Sequence, residues 1–279
     1  MNPISDSVAL VKYTGNLYET FQEALTLVGG LESRSPFVIK PNISTTDDKT
    51  GYANTRLDMV ETLIRLALNK NRKLAIRIVE SDSEAKYVDE AFEKFGYRDL
   101  EERMRNSSVD LSLINLSKLP TTPIELDGLF FKNPELPNLL VGHKYVVSLA
   151  VAKTHSLTFV TGTMKNLFGL LPRKNKSTYH KTITEVIVDL NRLVKPNLCI
   201  IDARVGLEGW NGPKKRLVNA LILGRQPVSV DATMARIMSF DPEKIRHIVE
   251  GEKYGLGTIH QNVLGENPES VAVKFNPPL

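Results

Sequence analysis

An α/β fold, with a mainly parallel central sheet flanked by helices, follows from two features of this sequence. Short apolar, β-branched runs alternate with segments of helical spacing, the order that joins parallel strands through crossover helices. The run Tyr145 to Ala152 is apolar at nearly every position, as expected of a strand covered on both faces.

Taken in order, Ser7 to Tyr13 reads as the first strand and Leu17 to Val28 as an amphipathic helix. Gly29 and Gly30 close that helix, being best suited to left-handed cap geometry. Phe37 to Lys40 is the next strand. It runs into Pro41 and Asn42, where proline ends the ladder and leaves polar groups at the carboxyl end. Leu57, Val60, Ile64 and Leu68 give Asn54 to Leu68 a helical stripe, and Lys73 to Glu80 returns to strand character. Ala85 to Phe95 reads as a helix ending at Gly96, and Val109 to Ile114 as a short strand. Pro120, Pro123, Pro134 and Pro137 then interrupt the pattern, so 115–142 reads as an inserted, proline-rich excursion or hairpin within one domain over 1–279. After the strand at Tyr145, Met164 to Leu171 can start a helix and Thr182 to Leu193 is helical. Leu198 to Ala203 and Leu217 to Leu223 are strands; Val230 to Ser239 and Pro242 to Glu250 are helices, the last with proline in its first turn.

With 279 residues, 42% of them hydrophobic, the chain can bury a substantial core. Its net charge of +4 sets 36 Lys and Arg against 32 Asp and Glu, too small an excess to call for nucleic acid. The basic runs Lys70 to Lys73 and Pro172 to Lys176 also lack the interleaved aromatics of a stacking platform. A single cysteine, Cys199, excludes an intrachain disulfide and a four-cysteine cluster, and its apolar surroundings read as a buried thiol. Met1 to Asp6 lacks the regions of a signal peptide, and no uncharged apolar run approaches the roughly 20 residues that span a bilayer. A cytoplasmic protein without a membrane partner is expected.

Ligands of open parallel sheets gather beyond the carboxyl ends of the strands. Lys40 and Asn42 fall there, as do Glu80, Ser81 and Asp82, His155 and Thr158, and Asp202. The densest chemistry is Lys153 to Gly169, a polar loop between a strand and a helix start, where unpaired N–H groups favour an anion. Lys40, Asn42, Lys153, Thr161, Gly162, Thr163, Lys165, Asn166 and Asn211 form the substrate-binding set, Asn211 through the glycine-rich turn Gly209 to Pro213. His155, Asp202 and Glu208 are the candidates for proton transfer, with His180 behind them. Asp202 and Asp231 are the candidates for a divalent metal, although no short spacing has the specificity of a metal signature. Plainer readings stand beside these: Thr161 or Thr163 as an N-cap, Asn166 as a surface residue, Asp231 as a helix cap. The glycine fingerprints of dinucleotide binding and of the P-loop are missing, as is the nucleophile elbow G-x-S-x-G.

The segments Val38 to Asn42, Lys153 to His155, Thr161 to Gly169, Ile201 to Ala203, Glu208 to Pro213 and Ser229 to Ala232 together resemble the domain-of-unknown-function family 362 (DUF362). The resemblance spans nearly the whole chain. It implies a cytosolic prokaryotic protein, some of whose relatives carry added ferredoxin-like cysteine motifs for iron–sulfur clusters. This chain has none, so no such cluster is expected on it, and a redox role would need a separate ferredoxin as partner. The family implies no reaction. Two functions stay open. One is an enzyme acting on a small anionic carboxylate or phosphate by acid–base or metal-assisted chemistry; the other is a non-catalytic cofactor-binding or ferredoxin-partner module. Nucleic-acid binding through Arg173 to Lys181 is a third, with steep salt dependence as its signature.

Overall fold

The computed structural model describes residues 7–142 and 144–278, so the signal-peptide reading of Met1 to Asp6 lies outside the described residues. The chain opens with β1 (Val8–Lys12) and α1 (Leu17–Leu27), whose Asn16 cap accepts the Glu19 N–H at 3.3 Å. Then come β2 (Phe37–Pro41), α2 (Leu57–Lys70), β3 (Ile76–Glu80), α3 (Val88–Lys94), α4 (Tyr97–Asn106) and β4 (Leu111–Asn115). A two-stranded ribbon of β5 (Thr121–Pro123) and β6 (Glu135–Pro137) follows. The second half runs through β7 (Tyr145–His155), β8 (Phe159–Thr161), α5 (Thr163–Asn166), α6 (Ile183–Val194), β9 (Leu198–Glu208), β10 (Lys214–Gly224), α7 (Pro227–Ile237), α8 (Arg246–Lys253), β11 (Val263–Gly265) and α9 (Pro268–Val271).

One large sheet takes the order β11–β1–β10–β9–β7–β2–β3–β4, with β8 folded back on β7. The pairs β4–β3, β3–β2, β2–β7, β7–β9 and β1–β11 are parallel, while β10 runs antiparallel to β9 and β1. Side chains alternate between the two faces of a strand, and each face supports its own core. Ile39, Leu149 and Ile200 point into a core shared with α1 to α4; Val38, Ala150 and Ile201 point into the one under α5 to α8. The helices of the first and second halves of the chain therefore cover opposite faces. β2 and β7 lie side by side, and the connections leaving their carboxyl ends depart to opposite faces and opposite edges. Such a divergence opens a crevice.

Several boundaries differ from those read in the sequence. The helix expected over Ala85 to Phe95 is shorter and continues, after Gly96 at φ 77°, into α4 at an angle. The segment Pro242 to Glu250 is not one helix: Pro242 to Lys244 is a 3-10 turn capped by Asp241, and the extended, buried Ile245 separates it from α8. β7 also extends beyond Ala152 through Lys153, Thr154 and His155, because β8 returns to pair with those three residues. The ribbon region is fastened from below by the buried Asp189 carboxylate of α6, which accepts the N–H groups of Leu129, Phe130 and Phe131 at 2.8 to 2.9 Å.

Candidate functional site

A cleft of about 490 Å³ opens at the carboxyl ends of β2 and β7. Five lysines line it, Lys40, Lys86, Lys153, Lys165 and Lys176, against two carboxylates, Glu80 and Glu84. On one side the charges are interlocked. Lys40 Nζ donates to Glu80 Oε2 at 2.7 Å, to the Pro41 carbonyl at 2.6 Å and to Asn166 Oδ1 at 3.3 Å. Lys86 Nζ lies 3.5 Å from Glu80 Oε1 and donates to the Ser81 carbonyl. Lys176 Nζ reaches Ser81 Oγ at 2.5 Å. Burial alone would push the Glu80 carboxyl up, but the Lys40, Lys86 and Lys176 charges outweigh it and hold Glu80 below its ordinary value. The close approach depends on Gly169, where an added Cβ would lie 2.6 Å from Glu80 Oε1 and 2.7 Å from Lys40 Cε.

On the other side the cations stand without ion-pair partners, although Asp48 acts on Lys153 from a distance. Among the described residues no carboxylate lies within ion-pair distance of Lys153 or Lys165. Lys153 Nζ is held by neutral oxygens, Ala53 O at 2.7 Å, Ser44 Oγ at 3.1 Å and Trp210 O at 3.2 Å. Burial, reinforced by the Lys165 charge, brings it down to about 7. Lys165 falls to about 8 by burial and the charge of Lys40. His155 is pushed down to about 2 by burial and the neighbouring Lys165 and Lys153, so its ring is neutral. Its Nδ1 accepts the Leu157 N–H at 3.1 Å, which leaves the proton on Nε2. In this tautomer the ring offers the cleft an Nε2–H donor. Two buried polar atoms of the lining, Thr161 Oγ1 and Asn42 Oδ1, have no hydrogen-bond partner among the described residues.

These elements bring together Lys40, Asn42, Lys153, His155, Thr161, Lys165 and Asn166 from the sequence-derived set. Gly162 and Thr163 lie beside the cleft, but the start of α5 already holds an anion. Asp231 Oδ1 accepts from the Thr163 N–H and hydroxyl, both at 2.7 Å, and Oδ2 from the Met164 N–H at 3.0 Å. A Cβ on Gly162 would lie 2.5 Å from that carboxylate. Burial raises Asp231 to about 6 against the pull of these donors. The chain's own carboxylate thus fills the place where an external anion was expected.

The carboxylates assigned to catalysis lie elsewhere. Asp202 and Cys199 are three residues apart on β9, so they face opposite sides of the sheet; Cys199 faces the side of Asp231, Asp202 the side of α2. Asp202 is consumed by Arg204, at 2.9 Å to Nε and 2.7 Å to Nη2, and the same guanidinium grips Asp58. The structure therefore does not bring Asp202 and Asp231 together, since the sheet lies between them. Among the described residues no group of three His, Cys, Asp or Glu side chains is arranged to hold one. Glu208 takes Arg216 at 2.6 Å and the Asn276 N–H at 3.0 Å, a clamp on the C-terminal segment. Asn211 donates to the Asp47 carbonyl at 2.6 Å and ties two loops at the cleft's edge. Lys86 and Lys176 were not among the sequence-derived candidates; the one sits in a charged loop and the other in a basic run that resembles solvated surface, yet both are buried.

The sequence pattern of a domain of unknown function, DUF362, matches residues 37–236, which run from β2 to α7 and contain every residue of the cleft. The chain belongs to the DUF362 family. Over 121 residues this DUF362 protein is 30% identical to a thylakoid-associated protein of Synechocystis sp., a match covering 40% of the chain and 37% of that relative's length. No described helix of the DUF362 protein is long and apolar enough to cross a membrane.

Proposed function

We propose that the cleft binds a small anionic molecule, a carboxylate or phosphate, and that the protein is an enzyme acting on it by acid–base chemistry. The observation that carries this reading is the pair Lys153 and Lys165, one buried and one half-buried cation in one cleft, neither with a carboxylate ion-pair partner among the described residues. Enclosed charge is costly unless paired, and an anion entering the cleft removes that cost for both lysines at once. Thr161 and Asn42 add unpartnered polar atoms, and the neutral His155 adds an N–H donor. Amines whose pKa values lie near neutrality, as burial leaves these, are suited to giving and taking protons.

The test is isothermal titration calorimetry with inorganic phosphate and with citrate, in two buffers of different ionisation enthalpy. Saturable binding with proton uptake is expected near pH 8, since the anion raises the lysine pKa values. Lys165→Gln should weaken it tenfold or more, from the loss of a charge-assisted contact of about 1.5–3 kcal/mol. Absence of saturable binding by either anion sinks the reading.

A further inference from the structure

The five lysines of the cleft are not equivalent. Lys40 and Lys153 each have three acceptors, Lys86 binds the Ser81 carbonyl beside Glu80, and Lys176 binds Ser81 Oγ. Lys165 alone among them has no hydrogen-bond acceptor among the described residues; its Nζ lies 6.0 Å from the centre of the Phe168 ring. An anion clamp has no need of such a difference. A nucleophile does, because its nitrogen must shed a proton and keep its lone pair free.

We infer that Lys165 is an imine-forming lysine, and that the anionic molecule of the cleft is a 2-oxo acid with an apolar side chain. This rests on the anion-binding reading and names its substrate class. Lys153, held in place by three oxygens and kept protonated by the carboxylate it meets, receives that carboxylate with the unpartnered Thr161 hydroxyl, and His155 Nε2–H faces the ketone oxygen. Exposed Leu157 and Trp210, with Phe168, supply an apolar wall for the side chain. With its pKa brought down to about 8, roughly a tenth of Lys165 is neutral at pH 7, far more than for an ordinary lysine.

In the step itself, the neutral Nζ adds to the carbonyl carbon and the π pair moves to oxygen, which takes a proton as the now positively charged nitrogen loses one. The carbinolamine then expels that hydroxyl, protonated as water, while the nitrogen lone pair forms C=N. Net, an ammonium and a ketone give an iminium and one water, with no change of oxidation state.

The test treats the full-length protein with 4-methyl-2-oxopentanoate and sodium borohydride, followed by peptide mapping. One reduced adduct at Lys165 is expected, suppressed by excess 2-hydroxy-4-methylpentanoate, which carries the same carboxylate and cannot condense. Lys165→Arg should lose the adduct while the hydroxy acid still raises its melting temperature. Mapping of the wild-type protein needs no variant to fold. An adduct on other lysines, or none although both acids raise the melting temperature, overturns the imine and leaves anion binding standing. No adduct and no thermal shift overturns both.

Discussion

Arg204, buried on β9, and Lys165, half-buried on α5 in the cleft, are both cations beside the central strands, and their surroundings treat them oppositely. Arg204 lies between Asp202 and Asp58, with Arg56 at 3.1 Å from Asp58 and 3.9 Å from Asp202, so two cations meet two carboxylates. Around Lys165 the cleft holds a surplus of positive charge and neutral acceptors. The first cluster satisfies itself and joins α2 to β9. The second is left without ion pairs at Lys153 and Lys165, the feature on which the proposed anion binding rests. Charged residues at strand ends thus divide into those that the fold pairs with opposite charge and those that it leaves unpaired, a difference that only the tertiary structure displays.

The sharpest way to break the comparison is to remove the cation from the balanced cluster. Arg204→Met leaves Asp202, 5% exposed, facing only the more distant Arg56. Stripping one partner from a buried pair costs about 3–5 kcal/mol, and urea unfolding at pH 7 should show a loss of that size. Lys165→Met removes a charge with no partner, and its unfolding midpoint should stay within error or rise. Equal losses in the two variants would mean that the clusters do not differ in kind.

A second, smaller effect is the pH dependence of stability. An unfolded chain keeps the Lys153 proton until about its ordinary value of 10.5, whereas the folded protein releases it near 7. Between those values the unfolded state holds more protons, so this residue makes stability rise with pH across the window. Below 7 both states are protonated and the penalty is constant. Lys153→Met removes the contribution, and the stability difference between variant and wild type should favour the variant more at pH 7 than at pH 10, by on the order of 3 kcal/mol. A difference independent of pH would show that folding leaves Lys153 as well charged as water does.

How far the sequence alone leads can be seen in β9. Its strand character is legible in Leu198 to Ala203, because apolar periodicity reports local structure directly. The facing of Asp202 is not legible there: both sides of the strand are buried, so no polar alternation marks which side is which. That the sheet separates Asp202 from Asp231 could therefore not be read from the strand's own pattern. At the start of α5 the free N–H groups mark a place for an anion, but the acceptor that occupies it, the Asp231 carboxylate, arrives from 68 residues away and is invisible to any local pattern. Lys40 and Lys165 were accessible because they sit beside strand ends and a helix start. Lys86 and Lys176 owe their burial to Glu80 and Ser81, which are tertiary neighbours no local pattern encodes.

The smallest effect concerns a single hydroxyl. Thr161 is 2% exposed and its Oγ1 has no hydrogen-bond partner among the described residues, whereas Thr163, two positions on, donates to Asp231 at 2.7 Å. Valine has nearly the shape of threonine, so the substitution isolates the oxygen. Thr163→Val removes a donor from an enclosed carboxylate and should cost about 1–3 kcal/mol. Thr161→Val removes a polar atom that the fold does not use, and should lie within about 1 kcal/mol of wild type or on its stable side. Ligand binding should reverse the ranking. With inorganic phosphate as probe, Thr161→Val should raise the dissociation constant about tenfold while Thr163→Val leaves it near wild type, because only the first hydroxyl lines the cleft. If Thr161→Val is as destabilising as Thr163→Val, its hydroxyl serves the fold, and the division between the balanced and the open side of the molecule does not extend to uncharged groups.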